Sequence, residues 1–268
     1  MKVSGHPLDQ GHVGHFIKPS ELVDLVEITP LNRNDLILYN QLLAHAWNTI
    51  QDEKIFRIRK SVLRGTHESN DRLNQSYDNI MDAKAKIRYR DKVTGRSKTL
   101  RVHLIGANIT DDEADGYFTY TFPPELLTIL ENSEVWAKLA SHIMYSLRSK
   151  YSIRLYELIE RRAGLRKQHE QFSVAQLRDM LGVPKDKLPR FADFNRHCLK
   201  PALAEINQLT NYAVQMAPVK DGRAVVSILV TWHPKDPEAI RAAHDERERA
   251  REGRAARRSH RLEAIVYD

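Results

Sequence analysis

FSVAQLRDMLGVP at 172–184, RFADFNRHCLKPALAEINQLT at 190–210 and GRAVVSILVTW at 222–232 decide the fold. Ser173 is a natural N-cap, Gln176 three residues on closes a capping box, and Phe172 before the cap staples against Leu177. Gly182 and Pro184 stop that helix. On a wheel of about 100° per residue, Phe191, Phe194, Cys198, Ala202, Ile206 and Leu209 share one face of the next helix, while Arg190, Asp193, Arg196, His197, Lys200 and Asn207 share the other. Pro201 predicts a kink or a restart near Lys200 rather than one straight rod. The apolar tail that follows reads as a hairpin. The stretch is a helix-turn-helix with a wing, one helix face packed and the other free to touch a partner.

The whole chain sets the outer bounds. Its 268 residues suffice for two domains whose cores need no staples. A hydrophobic fraction of 41% beside 29% charged residues is that of a soluble globular protein. The single cysteine, Cys198, forms no intrachain disulfide, and no apolar run at the N-terminus reads as a signal peptide or membrane span. A cytoplasmic protein without a membrane partner is expected. A net charge of +7 and a pI near 9.4 favour a polyanion, nucleic acid before a membrane surface.

Outward from the deciding stretch, residues 1–18 show scattered glycines and histidines and read as a flexible arm. His12 and His15 have a spacing that binds metal on a helix, but Gly14 and the lack of carboxylate or cysteine company make them an incidental surface pair. Asn32 caps a helix with Asp35 at its third position, and Leu36, Tyr39, Leu43, Trp47 and Ile50 recur at helical spacing. EKIFRIRK (53–60) alternates as a strand. A short helix and a longer one follow, the longer capped by Ser69 with Leu73, Tyr77 and Ile80 inside.

KAKIRYRDKVTGRSKTLRVHLIG (84–106) is the most informative pattern of the first half. Ala85, Ile87 and Tyr89 alternate with Lys84, Lys86, Arg88 and Arg90, and beyond a Thr94-Gly95 turn Leu100, Val102 and Leu104 alternate with Thr99, Arg101 and His103. From Lys84 to Arg101 there are eight Lys or Arg and one Asp, so 8 minus 1 gives +7, the excess of the entire chain. A solvated sheet face is one reading. Phosphate contact is the other, because like charges side by side on a ribbon repel unless an anion offsets them.

A strand at DGYFTYTF (115–122), a helix opening at Pro123 and Pro124, and a long helix over roughly 136–163 complete the pattern, the last with Met144, Leu147, Tyr151, Leu155, Leu158 and Ile159 as its stripe. The division expected is an arm at 1–18, a first winged-helix domain at 19–135, a second at 136–235 and a charged tail at 236–268 with no apolar stripe to pack. Both halves run long helix (32–50; 140–163), short strand (54–59; 169–172), two helices (60–82; 173–209) and hairpin (84–105; 212–232). The fold class is α+β, two tandem winged helices.

Catalytic arrangements are missing. No GxxxxGK[ST] loop, CxxC pair or HExxH occurs, and HVGH (12–15) is not the His-apolar-His strand that a nicking enzyme pairs with a nucleophilic tyrosine. Cys198 sits on the apolar face as filler. No catalysis, metal or cofactor is expected. DNA binding fits better, since a helix-turn-helix sets its second helix in the major groove while hairpin cations hold phosphates. The candidates are Arg190, Asn195, Arg196, His197, Lys200 and Asn207 on the second helix, with Lys150 and the wing residues Lys220 and Arg223. In the first domain they are Arg72, Gln75 and Asn79, and on its wing Lys84, Lys86, Arg88, Arg90, Lys92, Arg96 and Lys98.

SLRSKYSIRLYELI (146–159), FSVAQLRDMLGVP, FADFNRHCLKPALAEIN and DGRAVVSILV, in that order and spacing, with LNRNDLILYN (31–40), resemble the replication initiator proteins of iteron-carrying bacterial plasmids across roughly 28–232. The resemblance implies sequence-specific binding of directly repeated origin sites in double-stranded DNA as a monomer, and dimers that repress the protein's own promoter. It also implies origin opening with recruitment of host initiator, helicase and polymerase, without ATP or metal. A winged-helix transcriptional repressor with no replication role is the runner-up, and a relaxase or nuclease stands third.

Overall fold

The computed structural model describes residues 14–47, 49–64, 70–113 and 116–258; His12 and the expected cap Ser69 lie outside them. In the first unit the Asn32 side chain accepts from the Asn34 and Asp35 backbone at 2.8 and 3.1 Å, and Asp35 returns a carboxylate to Asn32 N at 2.9 Å. That reciprocal cap starts helix Arg33–Ala46. Helix Asn70–Asp82 buries Leu73, Tyr77 and Ile80, and the Tyr77 ring stacks on Phe118 with centroids 4.0 Å apart. The wing pairs Lys84–Arg90 with Ser97–His103, each residue of 84–90 opposite its partner from His103 down to Ser97. Its third strand is Val26–Glu27, whereas Phe56–Arg59 joins Tyr117–Tyr120 and Asn108–Thr110 in a separate sheet. The strands at 54–59 and 169–172 thus keep the same place in the order of parts but not in pairing, because pairing depends on which edge the fold leaves open and not on chain order.

Two expectations near the termini of this unit are also corrected. Residues 15–18 are not a loose arm: His15–Pro19 pairs antiparallel with Trp136–Ala140, and Lys18 is buried. Strand Trp136–Ala140, helix Ser141–Ser146 and helix Lys150–Ala163 replace the single helix read over 136–163. The break comes where Ser149 takes an extended backbone and its hydroxyl accepts from Ser152 N at 3.0 Å, capping a new helix. A division at 135/136 thus falls next to a strand that is hydrogen-bonded to residues 15–19.

Helix Lys150–Ala163 is enclosed nearly all round, with Ile153, Leu155, Tyr156, Leu158 and Ile159 in the core together with Arg154 and Glu157. Glu157 Oε1 accepts from Lys18 Nζ and from Asn40 Nδ2, both at 2.8 Å, and Oε2 from Arg154 Nη1 at 3.2 Å. Arg154 also donates to the carbonyls of Leu25 at 2.7 Å and Met180 at 3.1 Å. Burial alone would raise the Glu157 carboxyl, but the charges of Lys18 and Arg154 and the hydrogen bonds outweigh it and hold the group below the ordinary range.

The second unit follows the sequence closely. Ser173 and Gln176 form the reciprocal cap at 2.9 and 3.1 Å, and helix Val174–Met180 ends with Gly182 N on Asp179 O at 3.1 Å and Val183 N on Arg178 O at 3.0 Å. Gly182 takes φ +66, which favours glycine, and a Cβ there would stand 2.6 Å from Glu27 Oε1 and push that carboxylate aside. Pro201 produces a widened turn in place of a break: Phe191–Phe194 and Lys200–Leu209 are α-helical, and Asn195–Leu199 between them is a π turn in which Lys200 N reaches Asn195 O. The wider turn relieves the ring's clash with the preceding turn. The wing Tyr212–Asp221/Ala224–Pro234 turns through Gly222 at φ +57 and takes His169–Ser173 as its third strand.

The tail is the last correction, since it does pack. Helix Pro237–Glu248 lies on helix Lys200–Leu209, and Ala243, Glu246 and Arg254 are buried. No apolar stripe was needed because arginines bonded to backbone carbonyls hold it.

Glu160, on the central helix beside Tyr156 and Tyr212, is raised to about 7 by burial, which the hydrogen bonds from the two tyrosines only partly offset. With the folded value above the ordinary 4.5, the stability it contributes is complete below about pH 4.5 and lost as pH rises through about 7. Urea denaturation of Glu160→Gln against the parent is expected to favour the variant by roughly 2–3 kcal/mol more at pH 8 than at pH 4.5.

Candidate nucleic-acid interface

The helical stretch 191–209 divides into two faces as its sequence requires. Phe194, Cys198, Ala202, Ile206 and Leu209 are fully buried, and burial pushes the Cys198 thiol up to about 12, which makes it inert filler. Arg196, His197 and Lys200 are exposed and have no hydrogen-bond or ion-pair partner among the described residues. Three cationic or hydrogen-bonding side chains thus stand exposed on one helix of a helix-turn-helix, near Asp193, whose carboxyl is lowered by its hydrogen bond from Arg190 and by the charges of Arg190, His197 and Arg196. Asn195 is half-buried beside them.

Arg190 is largely exposed and donates to Asp193 at 2.6 Å, an ion pair weak enough in solvent to open for a phosphate. Lys220 and Arg223 are exposed at the wing tip. Arg178 was not singled out from the sequence, yet it ties the two helices together. Its Nη1 and Nη2 donate to Leu188 O at 2.5 Å and Lys187 O at 2.6 Å, and its guanidinium lies 5.3 Å from the Phe194 ring centroid. Leu188 holds φ +50 in the pinned turn. Nothing in the spacing distinguishes Arg178 from a solvated helix residue.

Four expected readers have structural partners. Lys150 is mostly buried and pairs with Glu27 Oε2 at 3.2 Å, because the helix it begins is interior. Asn207 donates to Val214 O at 2.9 Å and accepts from Val214 N at 2.7 Å, so its amide sets the first wing strand. Asn79 donates to both Asp35 oxygens at 3.1 and 3.2 Å, binding helix Asn70–Asp82 to the cap of helix Arg33–Ala46, and Gln75 donates to Asn79 at 3.2 Å. Arg72 is exposed on the same helix.

On the first wing the register sets Lys86 directly opposite Arg101. Lys84, Lys86, Arg88, Arg96 and Arg101 have no carboxylate at ion-pair distance among the described residues, whereas Lys92 pairs with Glu134 at 3.0 Å and Lys98 with Asp91 at 2.5 Å. Arg90 donates to Gly95 O at 3.0 Å, and Asp91 accepts twice from Thr94 at 2.7 Å, closing the turn. Lys86, Arg88, Arg90 and Arg101 line an open cleft of about 620 Å³ together with the carboxylates Glu21 and Asp24 and, from the second unit, Glu170 and Asp179. Among the described residues no group of three or more His, Cys, Asp or Glu can hold a metal ion, and no helix is long and apolar enough to cross a membrane.

Two winged helices in series, the first with a strongly cationic wing, define a class of two-headed nucleic-acid-binding folds. A family model described as "Initiator Replication protein, WH1" matches residues 17–160, and one described as "Initiator Rep protein, WH2" matches 173–232. The chain belongs to this family of initiator replication (Rep) proteins. Among solved structures it is similar to the Pi initiator protein, crystallised in complex with iteron DNA, with a TM-score of 0.59 and 19% identity over 83% of this chain and 98% of that one. No curated protein sequence matches it.

The Val214 clamp separates a structural asparagine from a reading one. Asn207→Ala is expected to lower stability by about 1–2 kcal/mol in urea denaturation and to weaken specific and random DNA by the same factor. Loss confined to the specific site would return Asn207 to the readers.

Proposed function

We propose that this chain initiates plasmid replication by binding directly repeated origin sequences in duplex DNA, the second winged helix reading bases and the first contributing backbone contacts and self-association. The observation that carries the reading is the trio Arg196, His197 and Lys200, exposed and with no hydrogen bond or ion pair among the described residues, on a helix whose opposite face is fully packed. Arg and Lys at such positions bond guanine edges in the major groove. Lys84, Lys86, Arg88 and Arg96 supply phosphate contacts, and the exposed pairs of Lys92, Lys98 and Arg190 are weak enough to exchange a carboxylate for a phosphate. Family membership and the likeness to the Pi initiator crystallised with iteron DNA support the same reading. Repression of its own promoter as a dimer, origin opening and recruitment of host initiator, helicase and polymerase belong to this proposal through the family. So does the absence of a catalytic role, cofactor or metal.

Binding to a labelled duplex carrying the repeats beside the gene tests it. Arg196→Ala or Lys200→Ala is expected to cost on the order of 1–3 kcal/mol on that duplex and much less on random DNA; equal losses on both would reduce the residue to a phosphate contact. Neutralising Lys86, Arg88 and Arg90 together is expected to flatten the dependence of log affinity on log salt by roughly one unit per lost contact. An unchanged slope would leave the ribbon a solvated face. Preference for a lone palindrome over direct repeats would favour a repressor.

A further inference from the structure

The family matches end at residue 232, and the chain continues as helix Pro237–Glu248 and helix Arg254–Arg258. This segment meets both matched units. On the second, Arg247 Nη1 donates at 2.6 Å to the carbonyl of Leu209, where helix Lys200–Leu209 ends, and Arg258 Nε donates to Gln208 Oε1 at 2.8 Å. On the first, Arg254 is 1% exposed and donates from Nη1 to Ser146 O at 3.0 Å, while Arg251 Nη2 donates to Tyr145 O at 3.1 Å.

Arg33, in the first turn of helix Arg33–Ala46, completes the set with bonds to Tyr145 O at 2.8 Å and Leu147 O at 2.6 Å. Three successive carbonyls at the C-terminal end of helix Ser141–Ser146 are therefore each met by a guanidinium, at the end of a helix that leaves acceptors unpaired and carries negative dipole charge. Residues 145–147 fall in the match to WH1, and 208–209 in the match to WH2. A segment bonded to both adds to direct bonds between them, such as Arg148 N to Glu205 Oε2 at 2.9 Å, in fixing one against the other. Ala243 is its only fully buried apolar side chain among the described residues, so these polar bonds hold it in place of a hydrophobic seam.

We infer that residues 237–258 are a strap holding the two winged helices in one relative orientation, with Arg254 as its positioning residue, so that both heads engage a single DNA site as a rigid pair. The orientation is a property of the protein alone; the consequence for DNA rests on the function proposed above.

Spin labels on the full chain at Val93→Cys and Arg223→Cys, one at the tip of each wing, report the orientation without DNA, since buried Cys198 does not label. The parent and Arg254→Lys are expected to give one narrow distance and Arg254→Met a distribution about twice as broad. An unbroadened Arg254→Met overturns the strap. Arg251→Ala, which removes an exposed arginine and only one of the two donors to Tyr145 O, keeps the test open should Arg254→Met not fold, and is expected to broaden the distribution by a smaller amount; no broadening there counts against the strap too. On DNA, Arg254→Met is expected to bind a full repeat roughly tenfold more weakly while keeping its affinity for a half-site of the second unit within about twofold. Equal loss on both would show that Arg254 supports the reading helix alone. A parent that binds no repeat would count against the proposed function and leave the distance result standing.

Discussion

A carboxylate in the dry interior is tolerated only when its charge is answered and its lone pairs are filled. Glu157 meets both conditions through Lys18, Asn40 and Arg154, and those partners come from the strand at 15–19, the helix at 33–46 and its own helix. Arg154 then carries the connection onward to the carbonyls of Leu25 and of Met180 in the second unit. Removing Glu157 would strip Lys18 and Arg154 of the carboxylate they share in the dry interior, so the charged groups are buried together. Helix Lys150–Ala163 is consequently the common wall of both winged helices.

The basic side chains of this chain do two kinds of work that composition cannot separate. Arg154, Arg162, Arg178, Arg247 and Arg254 are directed inward, where a planar group with five donors satisfies carbonyls and carboxylates that no lysine could reach at once. Arg162 bonds Glu170 at 2.7 Å and Asp24 at 3.1 Å, a second fastening across the same helix. Lys84, Arg88, Arg96, Arg196 and Lys200 are among those that face solvent with no carboxylate at ion-pair distance among the described residues. The net charge of +7 says that cations exceed anions, but not which of them are already answered inside the protein.

The helical stretch 191–209 shows how a local irregularity serves a global requirement. Pro201 removes a donor in the middle of a helix whose apolar face must stay continuous from Phe194 to Leu209. The π turn at 195–199 absorbs the mismatch and keeps both α segments on the core, which leaves Arg196 and His197 on the widened turn and Lys200 at its end.

Local chemistry was legible wherever neighbours in the chain are also the partners. The caps Asn32/Asp35 and Ser173/Gln176, the stop at Gly182, the alternation of 84–104 and the apolar faces of 70–82 and 191–209 all depend on residues within a few positions of one another, so the sequence by itself determined them. The resemblance carried by 28–232 reached the family for the same reason, through ordered local motifs. What the chain order did not contain was which edge a strand takes and which polar side chain a distant segment claims. Only the tertiary structure decided that Lys150 and Asn79 are bonded within the protein, that residues 15–19 join a sheet, and that an arginine-rich tail packs, because each depends on groups that folding brings up from tens of residues away; Asn207 meets Val214 seven positions on, but only once the chain has turned back into the wing strand.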